Sequence, residues 1–129
     1  MDDEPPLTAV PAGVRLTATP AGVKLIPLDA VADGAARNFV IELRAGRFHG
    51  FVVRRGEAVV GYVDRCPHMG LPLAHTLDDY LSADGQLIAC DWHGALFEIG
   101  SGKCVGGPCM GASLTPWPVT VTEGFITTA

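Results

Sequence analysis

Apolar and polar positions alternate along this chain in short bursts punctuated by glycine. The clearest burst runs from Arg37 to Leu43, with Phe39 and Ile41 on one face and Val40 and Glu42 on the other. That period of two predicts a strand. Ala45-Gly46 turns the chain into a second run, Phe48 to Arg54, and Arg55-Gly56-Glu57 turns it into a third, Ala58 to Asp64. β-Branched and aromatic residues between glycine turns predict a three-stranded meander here. Further on, the pattern predicts a short strand Gln86 to Ala89, then a hairpin of Leu96 to Ile99 and Lys103 to Val105 across Gly100-Ser101-Gly102. A last hairpin pairs Trp117 to Thr122 with Phe125 to Thr128 across Glu123-Gly124. Upstream, Val23 to Ile26 reads as a strand, and Leu28 to Gly34 as a turn or one helical turn stopped by Gly34. No helix longer than about three turns is expected. The fold class is all-β.

One segment stands apart. Leu7-Thr-Ala-Val-Pro-Ala-Gly-Val-Arg15 is followed by Leu16-Thr-Ala-Thr-Pro-Ala-Gly-Val-Lys24, a near-exact tandem repeat of nine. A solenoid needs about three repeats to bury a continuous core, so two copies read as a local duplication. The second copy then feeds the domain, and the first is a loose arm or an added edge strand. The expected division is an arm over residues 1–22 and one domain over 23–129.

Composition agrees with many short strands: 16 Gly and 10 Pro among 129 residues, nearly half of the chain apolar, enough for a single core. A formal charge of −5 excludes a nucleic-acid partner, which asks for a basic footprint. It suits docking onto a basic protein patch. No apolar run approaches the roughly 18 residues of a spanning helix, so no membrane partner is expected. The acidic start Met1-Asp2-Asp3-Glu4 has no apolar core of a secretory signal, and a cytoplasmic location is expected. In that reducing compartment the four Cys read as metal ligands or thiols before disulfides.

The chemistry gathers between residues 66 and 93. Cys66-Pro67-His68 follows directly on the third strand of the meander, and Cys90-Asp91-Trp92-His93 follows directly on Gln86 to Ala89. Two thiolates and two imidazoles suit one tetrahedral zinc or one binuclear iron–sulfur cluster. Zinc modules of the helical type use His pairs, whereas each pair here is one Cys and one His on a strand tip. That mixing would let the thiolates hold one iron and the imidazoles the other. Cys104 and Cys109 flank the loop Gly106-Gly107-Pro108 and read as thiols in or near the core. His49, inside a strand, and His75 read as structural histidines, and Trp117 as core.

These residues carry a resemblance. Cys66-x-His68 with Cys90-x-x-His93, then Gly94-Ala95-x-Phe97 and Gly102-Lys103-Cys104-Val105-x-Gly107-Pro108, resembles a Rieske [2Fe–2S] domain, more narrowly the Rieske-type ferredoxins of bacterial aromatic-ring oxygenase systems. The likeness covers about residues 24 to 128. The departure is a gap of 21 residues between His68 and Cys90, longer than usual, with the excess in the acidic stretch Leu77 to Gly85.

The resemblance implies an antiparallel β-sandwich with a smaller cluster-binding subdomain carrying two ligand loops. It implies one [2Fe–2S] cluster with Cys66 and Cys90 on one iron and His68 and His93 on the other. Pro67, Met69, Leu71, Trp92 and Pro108 would shield it, and backbone N–H groups near Gly70, Leu71, Gly94 and Ala95 would bond its sulfurs; Gly107 belongs to the same lining. High-potential Rieske proteins carry a loop disulfide, a Ser and a Tyr near the cluster. The matching positions here are Leu71 and Trp92, Ala95, and Phe97, none of which donates as those groups do, so a low potential is expected. The implied role is an electron carrier without catalytic residues, passing electrons from a flavoprotein reductase to a terminal oxygenase. The alternatives are a small iron–sulfur subunit of an oxidoreductase complex, like that of nitrite reductase, and a zinc-stabilised interaction domain.

Overall fold

The computed structural model describes residues 15–67, 72–73, 78–91 and 94–129. Within them lie ten strands: β1 (Arg15–Leu16), β2 (Lys24–Pro27), β3 (Ala36–Leu43), β4 (Gly46–Arg55), β5 (Ala58–Val63), β6 (Leu87–Ala89), β7 (Leu96–Glu98), β8 (Cys104–Gly106), β9 (Val119–Thr122) and β10 (Phe125–Thr128). One 3-10 turn, Leu28–Ala30, follows β2. The all-β expectation holds, and no helix among the described residues is long and apolar enough to cross a membrane.

The meander forms as its pattern predicts. β3 and β4 pair antiparallel from Ala36 opposite Val53 to Leu43 opposite Gly46, and β4 and β5 from Gly50 opposite Val63 to Arg55 opposite Ala58. The edge of β4 that faces away from β3 extends past β5, and β1 occupies it. Arg15 and Leu16 lie parallel to Arg47 and Phe48. Arg15 ends the first nonamer and Leu16 begins the second, so the junction of the repeat is an added edge strand. The end of the second copy, Lys24, opens β2, which pairs with β10 in a second sheet of order β2-β10-β9. A third sheet, β6-β7-β8, carries the hairpin that follows Cys90.

β4 is the wall between two cores, because alternate side chains of a strand point to opposite faces. Phe48 and Val52 join Leu28, Val31, Val63, Trp117 and Ile126 on one side. Phe51 and Val53 join Tyr62, Leu73, Tyr80, Ile88, Phe97 and all four cysteines on the other. The chain beyond residue 14 is bonded onto the first core. Trp117 Nε1 donates to Thr19 Oγ1 at 2.9 Å, and buried Thr128 donates its hydroxyl to the Pro20 carbonyl and accepts from the Val23 N–H, both at 2.7 Å.

Candidate metal centre

Each cysteine lies just past a strand: Cys66 three residues beyond Val63, the last paired position of β5, and Cys90 one residue beyond Ala89, the last of β6. Cys66 is 1 % exposed and Cys90 is 2 % exposed, and both lie in the second of the two cores. The segments that leave them are tied together. The Asp91 N–H donates to the Leu73 carbonyl at 2.8 Å, joining the far end of the first loop to the position after Cys90. The second loop closes on itself: the Cys90 N–H donates to the Ala95 carbonyl at 2.8 Å and the Gly94 N–H to the Cys90 carbonyl at 3.0 Å. The Gly94 N–H expected to bond a sulfur is therefore used in closing this turn.

The Gly-Pro loop packs directly on that turn. Gly107 has φ +82°, a conformation that costs other residues. A Cβ there would lie 2.8 Å from Ala95 Cα and 3.0 Å from the Gly94 carbonyl oxygen. Only a bare backbone fits this approach. Of the shielding residues expected from the sequence, Ala95 and Phe97 are buried, whereas Pro67, Gly94, Gly107 and Pro108 are exposed. His68, Met69, Gly70, Leu71, Trp92 and His93 lie outside the described residues, as does His75.

Cys104 and Cys109 are both buried, and none of the four cysteines is in a disulfide. Cys104 Sγ reaches the Gly106 carbonyl at 3.1 Å. Cys109 Sγ lies 3.9 Å from Cys66 Sγ, a contact in which either sulfur is placed to donate. Sequence reasoning took Cys109 as a core thiol and missed this contact; its place one residue after Gly-Pro, opposite a ligand loop, is the available signal.

It also missed two polar groups. Asp64 is 5 % exposed, and its carboxylate accepts from the Leu73 N–H at 2.9 Å and from the Tyr80 hydroxyl at 2.8 Å. Tyr80 is 2 % exposed, stacks on Phe51 with centroids 4.1 Å apart, and accepts from Asn38 Nδ2 at 2.6 Å. Burial, then the Asp64 charge, pushes its phenol far above the usual tyrosine range. A lone aromatic in the acidic stretch before Gly85 was the sequence signal. That stretch is not simply looped out: Asp78 accepts the Asn38 N–H from the edge of β3 at 2.6 Å. His49 is half-buried on β4, and its pKa is lowered by burial and by Arg15.

Two buried, unbridged thiols just beyond two strand ends, both in one apolar core, fit a pair of soft ligands to one iron. A family model described as "Rieske [2Fe-2S] domain" matches residues 24–122. Among solved structures, the ferredoxin of carbazole 1,9a-dioxygenase from Nocardioides aromaticivorans IC177 is 22 % identical, with TM-score 0.65 over 85 % of this chain and 98 % of that one. A chain in the complex of reduced oxygenase and oxidised ferredoxin in carbazole 1,9a-dioxygenase is 25 % identical, with TM-score 0.67 over 86 % and 94 %. The Sphingomonas yanoikuyae B1 ferredoxin is 21 % identical, with TM-score 0.61 over 83 % and 96 %. No curated protein sequence matches.

Proposed function

We propose, from the premise that this chain belongs to the Rieske [2Fe–2S] domain family, that it is a one-electron carrier serving an oxygenase. The bound cluster supplies reversible one-electron chemistry. Cys66 and Cys90 would hold one iron as thiolates, and His68 and His93 the other as neutral imidazoles. The observation that carries the reading is the pair of buried thiols just beyond β5 and β6 inside a matched Rieske domain. Likeness to a chain in a complex of oxygenase and ferredoxin supports the oxygenase as electron acceptor. A flavoprotein reductase as donor, absence of catalysis within the chain, and a cytoplasmic location complete the proposal. In this reading residues 23–129 are the cluster-bearing domain and residues 1–22 an arm, whose end from Arg15 is bonded onto it.

The chain's own residues set the electron energy low. Ala95 and Phe97 fill buried positions next to the second loop with side chains that donate no hydrogen bond, so neither steadies the extra electron. The midpoint is expected near the bottom of the roughly −150 to +300 mV range of Rieske centres.

The test is spectroscopic. Purified without oxygen, the protein should be red-brown, give a reduced-state EPR signal of low average g, and titrate well below zero. A colourless protein with one zinc per chain would overturn the cluster assignment, and a midpoint well above zero the low-potential one.

A further inference from the structure

Four hydrogen bonds around Cys90 close into a ring. From the Asp64 carboxylate, Oδ1 takes the Leu73 N–H at 2.9 Å, and the Leu73 carbonyl takes the Asp91 N–H at 2.8 Å. The chain then runs back from Asp91 through Cys90 to Ala89, whose N–H donates to the Tyr80 carbonyl at 2.9 Å. The Tyr80 hydroxyl returns to Asp64 Oδ2 at 2.8 Å. Leu73 and Tyr80 thus each touch Asp64 with one group and a neighbour of Cys90 with another. Asp64 is itself two residues ahead of Cys66. Its own N–H is anchored on the central strand, donating to the His49 carbonyl at 2.9 Å.

We infer that Asp64 and Tyr80 are positioning residues: through this ring the Asp64 carboxylate fixes the strand tip bearing Cys66 to the strand tip bearing Cys90. The inference deepens the proposed function and rests on its assignment of both cysteines as ligands. A buried carboxylate is costly unless its oxygens are hydrogen-bonded. Here both oxygens are used, each on a different arm of the ring, so the two strand ends are coupled through a single rigid group. Stacking on Phe51 and the bond from Asn38 hold the Tyr80 ring in place from the sheet side. The group that needs such fixing is a pair of ligands from separate loops, because a ligand misplaced by a small fraction of its bond length weakens the site.

Asp64→Ala removes both acceptors and opens both arms of the ring, whereas an Asn could keep it closed by accepting from Leu73 and donating to the Tyr80 hydroxyl. Tyr80→Phe opens it at the hydroxyl and keeps the stack. Tyr62→Phe is the control. Its hydroxyl is equally buried and donates to the Ile99 carbonyl at 2.6 Å, but it lies off the ring. Each full-length variant is loaded and treated with a chelator at a fixed interval below its own Tm, and loss of visible absorption is timed. Tyr80→Phe should bleach about fivefold faster than wild type, the factor for one lost hydrogen bond, the Asp64 variant at least as fast, and Tyr62→Phe at the wild-type rate. Amide exchange of the cluster-free chain should quicken at Leu73, Ala89 and Asp91 in the ring variants alone. Equal bleaching across all three variants, or unchanged exchange at those amides, overturns the inference. A wild-type chain that takes up no cluster defeats the proposed function, and the exchange measurement then still decides whether the ring ties the two tips.

Discussion

At the level of single residues, the behaviour of Cys109 depends on the state of Cys66. Their sulfurs are 3.9 Å apart. Under the proposed ligation Cys66 would be a thiolate that only accepts, so the proton in that contact would belong to Cys109. A donor to a ligand sulfur favours the reduced site, and Cys109→Ala should lower the midpoint potential by about 20 mV, the one-electron equivalent of about 0.5 kcal/mol for a weak bond. Cys109→Ser, with a stronger donor, should not lower it; a redox titration in which both variants fall equally would remove the role. His49 gives a second residue-level test. Burial, then Arg15 on β1, lowers its pKa, Asp64 and Glu42 pull it back up, and Arg47 adds to the lowering. The folded pKa therefore lies below the ordinary 6.5, and the unfolded state takes up the proton first. This contribution to stability is complete above about pH 6.5 and is lost as pH falls from there through the lower folded value. Arg15→Ala should move the His49 titration upward in an NMR pH series and flatten that acid loss. An unmoved titration would mean that β1 does not lie against His49 in solution.

At the level of elements, the second nonamer is held by side chains as well as by backbone bonds such as that from the Gly22 N–H to the Thr128 carbonyl. β1 is two residues long, while Thr128 alone satisfies the Val23 N–H and the Pro20 carbonyl. Thr128→Val is nearly isosteric and leaves both groups without that partner, so it should cost about 2 kcal/mol, read as a lower denaturant midpoint at unchanged slope. A loss below about 0.5 kcal/mol would mean that water replaces the hydroxyl and that the segment is only loosely attached. The same contrast explains which elements were legible in the sequence. β3, β4 and β5 follow each other across tight glycine turns, so alternation and turn chemistry suffice to predict them. So do the two later hairpins. β1 was foreseen only as one of two options, because a two-residue strand has no period and its parallel partner lies some thirty positions away. The candidate ligand cysteines stood out in the sequence because metal chemistry restricts residue type and spacing. The Asp64–Tyr80 link was not, since it joins a strand end to a residue 16 positions on, and no local pattern records such a pair. Gly107 belongs to the same class: its glycine is visible, but the Ala95 backbone it must clear is not.

For the whole molecule, β4 separates two cores, and the candidate centre belongs to one of them. Cys66, Cys90, Cys104, Cys109, Leu73, Tyr80 and Phe97 share the core on one face of β4. Trp117, Phe48, Val52 and Ile126 share the other, to which Thr19 and Thr128 bind the N-terminal segment. A ligand bound by the native state alone stabilises it by mass action, and the part stabilised first is the part whose residues contact it. Stripping the cluster should therefore loosen β6, β7 and β8 while leaving β2, β9 and β10 packed, because those strands take their burial from the opposite face. The indole N–H of Trp117 reports on that face through its 2.9 Å bond to Thr19. After chelation its NMR signal should keep its position and its slow exchange, while amides of β6 to β8 exchange faster and the overall Tm falls. If the Trp117 signal collapses together with the colour, β4 transmits the loss across both faces and the molecule behaves as a single cooperative unit.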